Sequence, residues 1–499
     1  MIRVLPEGAM RQATAVAAAV FALALAGCAD MGNISSQAKL RDAQSLGLTP
    51  ASATPAAPAV SAAAPTIASQ WWVEFGNPQL DSLIAQAIQG NPSLQVARAR
   101  LARAQAAVSS TEAADKPQIN GALDLTRQKF SGNYIYPAPL GGSVQETGGL
   151  QLSGSWELDF FGKNRTAIEA AIGSANAAGA DADASRILLA SNVARSYVQW
   201  ARLHDQLAVA ERTLAQREEV FKLVRDRVAA GLDTRLQLKQ SEGAIPQARQ
   251  QIESFREQIE IAQHALDALV AQPGATAALV PPALAGLKTI SLQPTIPADL
   301  LGRRADIAAA RWRVEAATSD VANAKTQFYP NINLVAFAGF SSIGFDNLLK
   351  SGSQQWGVGP AVRLPIFEGG RLRANLRGKA ADLDAAIDSY NSTVLDAVRD
   401  VADQVTSVQS VVRQQAQQRE SQAAAEDAYD IALQRYSAGL GNFLDVLTAE
   451  TTVLIQRREG VDLAARALDS QVALARALGG GWQPPSDTTA AAEPAPKHP

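Results

Sequence analysis

Residues 150–165 read LQLSGSWELDFFGKNR, and the period of the chain changes inside that stretch. Leu150, Leu152, Gly154, Trp156, Leu158 and Phe160 point one way. Gln151, Ser153, Ser155, Glu157 and Asp159 point the other, which is the alternation of a strand with one apolar and one polar face. From Arg165 to about Ala230 the apolar residues instead recur three, four or seven apart, through Leu189, Val193, Trp200, Leu203, Leu207, Leu214, Phe221, Val224 and Val228. That spacing predicts one helix, on the order of 100 Å long at 1.5 Å per residue. Trp200 falls on its seam and reads as packing rather than as a ligand platform. No globular domain needs a helix this long.

Other strands share the pattern. In residues 119–126, Ile119, Leu123 and Leu125 lie opposite Asn120, Asp124 and Thr126. In residues 356–366, Trp356, Val358, Val362, Leu364 and Ile366 lie on one face, and Gly/Ser/Asn-rich connections fall near 131–149 and 341–354. A soluble sheet with one wet face has this alternation. So does a transmembrane strand, about 9–11 residues long, apolar to lipid and polar to a lumen. No segment after the N-terminal apolar run reaches the length of a membrane helix, so a membrane crossing requires a closed barrel. Four strands cannot close one, since about eight is the minimum. A dimer with eight strands or a trimer with twelve are the simplest closures, and a wide pore favours twelve.

The chain also repeats itself. Asn91–Asn120 aligns without a gap on Arg304–Asn333, matching Arg98 with Arg311, Pro117 with Pro330 and Asn120 with Asn333. Arg227 to Leu232 matches Arg435 to Leu440, with Gly231 and Gly439 at the same place in two tight turns. Alanine bias could mimic helix-on-helix similarity but would not reproduce proline, glycine and asparagine landmarks in order. Each repeat predicts a helix (about 91–115; about 304–328), two strands, a very long helix, a turn and a returning helix. On the second returning helix Leu447, Leu454, Val461, Leu468 and Ala475 recur every seventh residue, the period of coiled-coil packing. The expected organisation is a signal peptide (1–27), an anchored linker (28–69), repeat one (70–272), an inter-repeat segment (273–295), repeat two (296–482) and a disordered tail (483–499).

Composition narrows the function. Hydrophobic residues are 47% and charged residues 19%, and the net charge is −3, so nothing draws the chain to nucleic acid. Three histidines and one cysteine cannot build a Cys/His metal site or an intrachain disulfide. The acidic pair Asp181 and Asp183 reads as a solvated helix face, and no nucleophile–base set or phosphate loop is present, so no catalysis is expected. Arg3 and Arg11 precede a short apolar run from Ala13 to Gly27, the form of an export signal. It ends in Leu25-Ala26-Gly27-Cys28, which resembles a bacterial lipobox, where the cysteine is acylated. The only cofactor expected is that covalent lipid on Cys28. Ala29, rather than an aspartate, after the cysteine favours the outer membrane.

The stretches starting WWVEFGNPQLDSLIAQ at 71, IPADLLGRRADIAAARWRVEAA at 296, FYPNINLVAFAG at 328, LPIFEGGRLRANL at 364 and RYSAGLGNFLDVLTAE at 435 together resemble the outer-membrane efflux proteins, the TolC-like channel-tunnels, in their lipidated branch. The resemblance runs from Cys28 to Trp482. It implies a mixed α+β membrane protein: a trimeric 12-stranded outer-membrane β-barrel, four strands per chain, continuous with a long periplasmic α-helical barrel. It also implies passive exit of drugs or other small molecules, with a periplasmic adaptor and an inner-membrane RND-type pump as partners. The competing reading is a periplasmic coiled-coil adaptor or scaffold lipoprotein, which would have one hairpin flanked by compact β-domains.

The resemblance further implies a periplasmic aperture. Asp445 matches a constricting aspartate and Tyr436 a tyrosine of the closing network, while Thr448 stands where some relatives carry a second aspartate and Gln237 where relatives often place one. That leaves a single ring of three Asp445 carboxylates, or simply a carboxylate at a helix start. Gly231, Leu232, Gly439 and Leu440 fit adaptor contact at the hairpin tips as well as turn formation. Asp124, Glu157 and Asp159 are expected to face the lumen.

Overall fold

The computed structural model describes residues 31–41, 67–290 and 302–484. The expected signal peptide (1–27), Cys28, most of the expected linker (28–69), residues 291–301 and nearly all of the expected tail (483–499) lie outside the described residues. Helices α1 (Pro78–Gly90) and α2 (Pro92–Ala114) lead into strands β1 (Gln118–Lys129) and β2 (Val144–Glu157), then helices α3 (Lys163–Ala229) and α4 (Arg235–Val270). Helix α5 (Ala305–Thr326), strands β3 (Asn331–Ile343) and β4 (Gln354–Arg363), and helices α6 (Arg371–Ser437) and α7 (Phe443–Ala477) follow in the same order. Helices α3 and α6 have 67 residues each, about 100 Å at the usual rise. Among the described residues no helix is long and apolar enough to cross a membrane.

The described residues divide into two compact units. The first holds residues 31–40, 101–178 and 310–390, and with them the whole sheet. Its strands run antiparallel in the order β1-β2-β3-β4, so β1 and β4 are the edges. In the helical part of this unit, Val314, Val321, Ala324 and Phe328 of the α5 region pack on Leu372, Leu376, Leu383 and Ile387 of α6. Met31, Ile34 and Ala38 lie on this core, and one oxygen of Asp384 holds the segment in place. That oxygen accepts from Ser36 Oγ at 2.6 Å, Gln37 N at 2.7 Å and Ala38 N at 2.8 Å.

The second unit, residues 41, 67–100, 179–290, 302–309 and 391–484, is helical. Its main core joins Trp71, Phe75, Leu80 and Ile84 to Tyr197, Trp200 and Ala201 of α3, Ile252 and Ile259 of α4, and Leu468 and Val472 of α7. Trp200 is fully buried there, as its place on the helix seam requires. Several ion pairs cross between helices within this unit, and two of them are largely buried on the arginine side. Arg217 Nε meets Glu450 Oε1 at 2.7 Å, and Arg457 Nε meets Glu426 Oε1 at 2.9 Å while its Nη1 donates to Gln216 Oε1.

Three local expectations change. The chain starts repeat one with an extra helix, α1, because Asn77 caps it by accepting from the N–H groups of Gln79 and Leu80. Asn91 then turns the chain into α2. Strand β2 begins at Val144, well before Leu150: Gly148 and Gly149 read as a turn, yet they stay paired with Leu125 and Asp124. Strands β2 and β4 stop at Glu157 and Arg363, so Leu158, Asp159, Phe160, Leu364 and Ile366 lie beyond them.

Candidate functional site

Two regions hold the candidate functional residues: the two hairpin tips in the helical unit and the two faces of the sheet in the other. At both tips the turn chemistry is the same. Leu232 N donates to Arg227 O at 2.9 Å and Gly231 N to Val228 O at 3.0 Å; Leu440 N donates to Arg435 O at 2.8 Å and Gly439 N to Tyr436 O at 3.0 Å. These are paired Schellman closures, with Gly231 and Gly439 at φ +74° and +75°, where a side chain is strained. The bonds thrust Leu232 and Leu440 outward, 66% and 71% exposed, and Leu236 and Leu444 one turn on are equally bare. Leu236 and Leu444 were not singled out from the sequence, although an i,i+4 pairing with the tip leucines was available to find them.

The first turn of each returning helix carries a capping box. Gln237 Oε1 accepts from Thr234 N at 2.6 Å and Thr234 Oγ1 at 2.8 Å. Asp445 N donates to Asn442 Oδ1 at 2.9 Å, and Asn442 N to Asp445 Oδ2 at 3.3 Å. Thr448 Oγ1 donates to Leu444 O. These bonds of Gln237, Asp445 and Thr448 stay within the first two turns of their own helices.

Tyr436 is different. Its ring is 1% exposed and lies against Phe443, and its hydroxyl donates a short hydrogen bond to Asp233 Oδ2, in the other repeat. Arg227 Nε donates to the same oxygen at 2.9 Å, its guanidinium sits 4.7 Å over the Tyr436 ring, and its Nη1 reaches Ser437 O. Burial pushes the Tyr436 hydroxyl well above its ordinary value, and the Asp233 carboxylate adds to that. The hydrogen bond that Arg227 donates to Asp233, helped by the carboxylate's charge, raises Arg227 in turn. This clasp ties the two hairpins of one chain together near their tips. Arg227 and Asp233 escaped the sequence reading because their partner lies about two hundred residues away.

In the sheet, pairing register sorts side chains onto faces. Ile119, Leu123 and Leu125 of β1, Leu150, Leu152 and Trp156 of β2, Leu334, Ala336 and Phe340 of β3, and Trp356, Val358 and Val362 of β4 share one face. It is bare: Ile119 is 76% and Trp356 78% exposed. The opposite face carries Gln118, Asn120, Asp124, Thr126, Gln151, Ser153, Ser155, Glu157 and Asn333. Asp124 is exposed on it, and Glu157 ends it in an ion pair with Lys163 Nζ at 2.9 Å. Asp159 is not on either face. It lies past the strand, and its Oδ2 accepts from Arg165 N at 2.9 Å, because the unsatisfied N–H groups at the start of α3 draw in a carboxylate.

The sequence profile described as outer membrane efflux protein matches residues 83–272 and 296–480, three quarters of the chain. The chain belongs to the outer membrane efflux protein family. Family membership places it among outer-membrane channels, and the adaptor or scaffold alternative falls away. It is 40% identical over 368 residues to the fusaric acid resistance protein FusA of Burkholderia cepacia, covering 72% of this chain and 68% of that one. It is 33% identical over 423 residues to the putative multidrug resistance outer membrane protein MdtQ of Shigella flexneri, covering 83% and 88%. The solved structure of the outer membrane protein VceC from Vibrio cholerae superimposes with a TM-score of 0.78 at 35% identity, over 83% of this chain and 99% of that one. The match to VceC extends over the long helices and the β domain together.

Proposed function

We propose that three copies of this efflux protein pool their sheets into one 12-stranded barrel in the outer membrane, through which drugs or other small molecules leave the cell passively. The observation that carries this reading is the open sheet with one bare apolar face and one polar face. Four strands cannot close, a soluble protein would cover so large an apolar face, and lipid covers it at no loss. Joining edge β1 of one copy to edge β4 of the next removes every exposed edge.

The chain supplies a path and no chemical step, so energy comes from an inner-membrane RND-type pump reached through a periplasmic adaptor. The exposed pairs Leu232/Leu236 and Leu440/Leu444 are the apolar knobs offered to that adaptor. The Tyr436–Asp233–Arg227 clasp holds the aperture, and three Asp445 carboxylates ring it. Asp124, exposed on the polar face, and Glu157 at its end tilt the lumen towards cations. Cys28 carries the lipid, and the Asp384 bonds to residues 36–38 fix the chain shortly after it.

The deciding experiment is the mass of the native particle extracted by detergent from outer membranes, with mass analysis of the Cys28 peptide. Three acylated chains per particle is the expected result. A monomer that washes off the membrane in salt would leave four strands with no way to close and would end the channel reading.

A further inference from the structure

Midway along β3 the polar face of the sheet turns apolar, well away from Ile343 at the strand's end. Val335 and Phe337 stand on it, between Ser155 and Ser153 of β2 and their β4 partners Gly359 and Gly357. The glycines decide what the phenylalanine does. A Cβ at Gly357 would lie 2.7 Å from Phe337 Cε1 and 2.9 Å from Cζ, so only glycine lets the ring fold down onto the neighbouring strand. At Gly359 a Cβ would meet nothing within 4 Å, so the floor beside the ring is open. Phe337 remains 40% exposed although its edge is covered, which leaves ring surface free.

We infer that Phe337 is a stacking station for planar aromatic cargo inside the barrel and determines which solutes pass slowly. Aromatic rings prefer offset stacking or edge-to-face contact with one another. A ring held against the wall by glycine offers such contact without blocking the path. Ser153 and Ser155 border the shelf and can hydrogen-bond polar substituents. A trimer would place three such rings at one height. The inference rests on the barrel reading, which assigns the polar face to the lumen.

The test uses the full-length, acylated protein in planar bilayers, with tryptammonium and hexylammonium ions added from the side of the β1–β2 loop. Cations suit a face that carries Asp124. Tryptammonium is expected to interrupt the current at lower concentration than hexylammonium. Phe337→Leu, which still covers Gly357, and Gly357→Ala, which lifts the ring, should weaken that block about two- to tenfold. Phe337→Tyr should keep it. Open-channel conductance and native particle mass, measured on the same samples, separate this inference from the one beneath it. Absence of any conductance from the unaltered protein overturns the barrel and this station with it. Normal channels whose tryptammonium block survives Phe337→Leu would show that the ring merely covers glycine, and the inference would fail alone.

Discussion

Tyr436 and Asp233 belong to different repeats, and their hydrogen bond couples the two tips directly through a buried hydroxyl. A donor to a carboxylate contributes about 1.5–3 kcal/mol. Tyr436→Phe removes that donor while leaving the Arg227–Asp233 pair, so the separated state of the tips should gain about tenfold in population, read as longer openings in single-channel records. Unchanged open times would mean that the clasp holds shape and not the aperture. The pH dependence has a definite sign. A hydroxyl raised above its ordinary value of 10.0 keeps its proton in the folded protein, so its contribution is whole below pH 10 and is lost only as pH rises through the higher folded value. Tyr429, buried near Glu450, is pushed up to about 12 and follows the same rule. Alkaline difference spectra should therefore show these two tyrosines ionising late, and Tyr436→Phe should remove one late step.

At the scale of elements, the tips combine a glycine turn with a capping box, and the two can be separated. Gly439→Ala puts a Cβ at φ +75° and should destabilise the tip by about 1–2 kcal/mol. Hydrogen exchange at the Leu440 amide should accelerate accordingly while the helical core around Trp200 stays protected; acceleration in both would mean that the tip is not an independent unit. Asp445→Asn keeps a side-chain acceptor for Asn442 N and removes only charge. Thermal stability should shift by less than about 0.5 kcal/mol while cation preference, read as reversal potential in a salt gradient, declines. An unchanged reversal potential would leave Asp445 as a helix cap and nothing more. Much of this level was legible beforehand. The sevenfold spacing of Leu447 to Ala475 and the matched glycines need only local chemistry to be read. What escaped was long-range or ambiguous. Asp233 has no local signature of a partner in α6, a Gly148-Gly149 pair reads equally as turn or strand, and Asp159 alternates correctly with its neighbours although the strand has already ended.

At the scale of the whole molecule, the choice between a membrane barrel and a sheet with one wet face turns on which solvent the apolar face meets. Leu152 and Gln151 are adjacent on β2, and the pairing register sends them to opposite faces. Leu152 is 60% exposed in the single chain, so if that face met water, Leu152→Arg would disturb nothing and would even improve solubility. If it meets lipid near the middle of the bilayer, the same change should cost about 2–4 kcal/mol, three times over in a trimer. Gln151→Arg is the internal control. In a barrel it points into water, assembles normally and reduces cation preference, because positive charge is added to the face that carries Asp124. The measurement is the melting temperature of the detergent-extracted particle, with conductance on the survivors. Loss of assembly in Leu152→Arg alone, with a selective channel retained in Gln151→Arg, is the pattern that a shared barrel demands. Equal tolerance of both arginines would put water on both faces of the sheet.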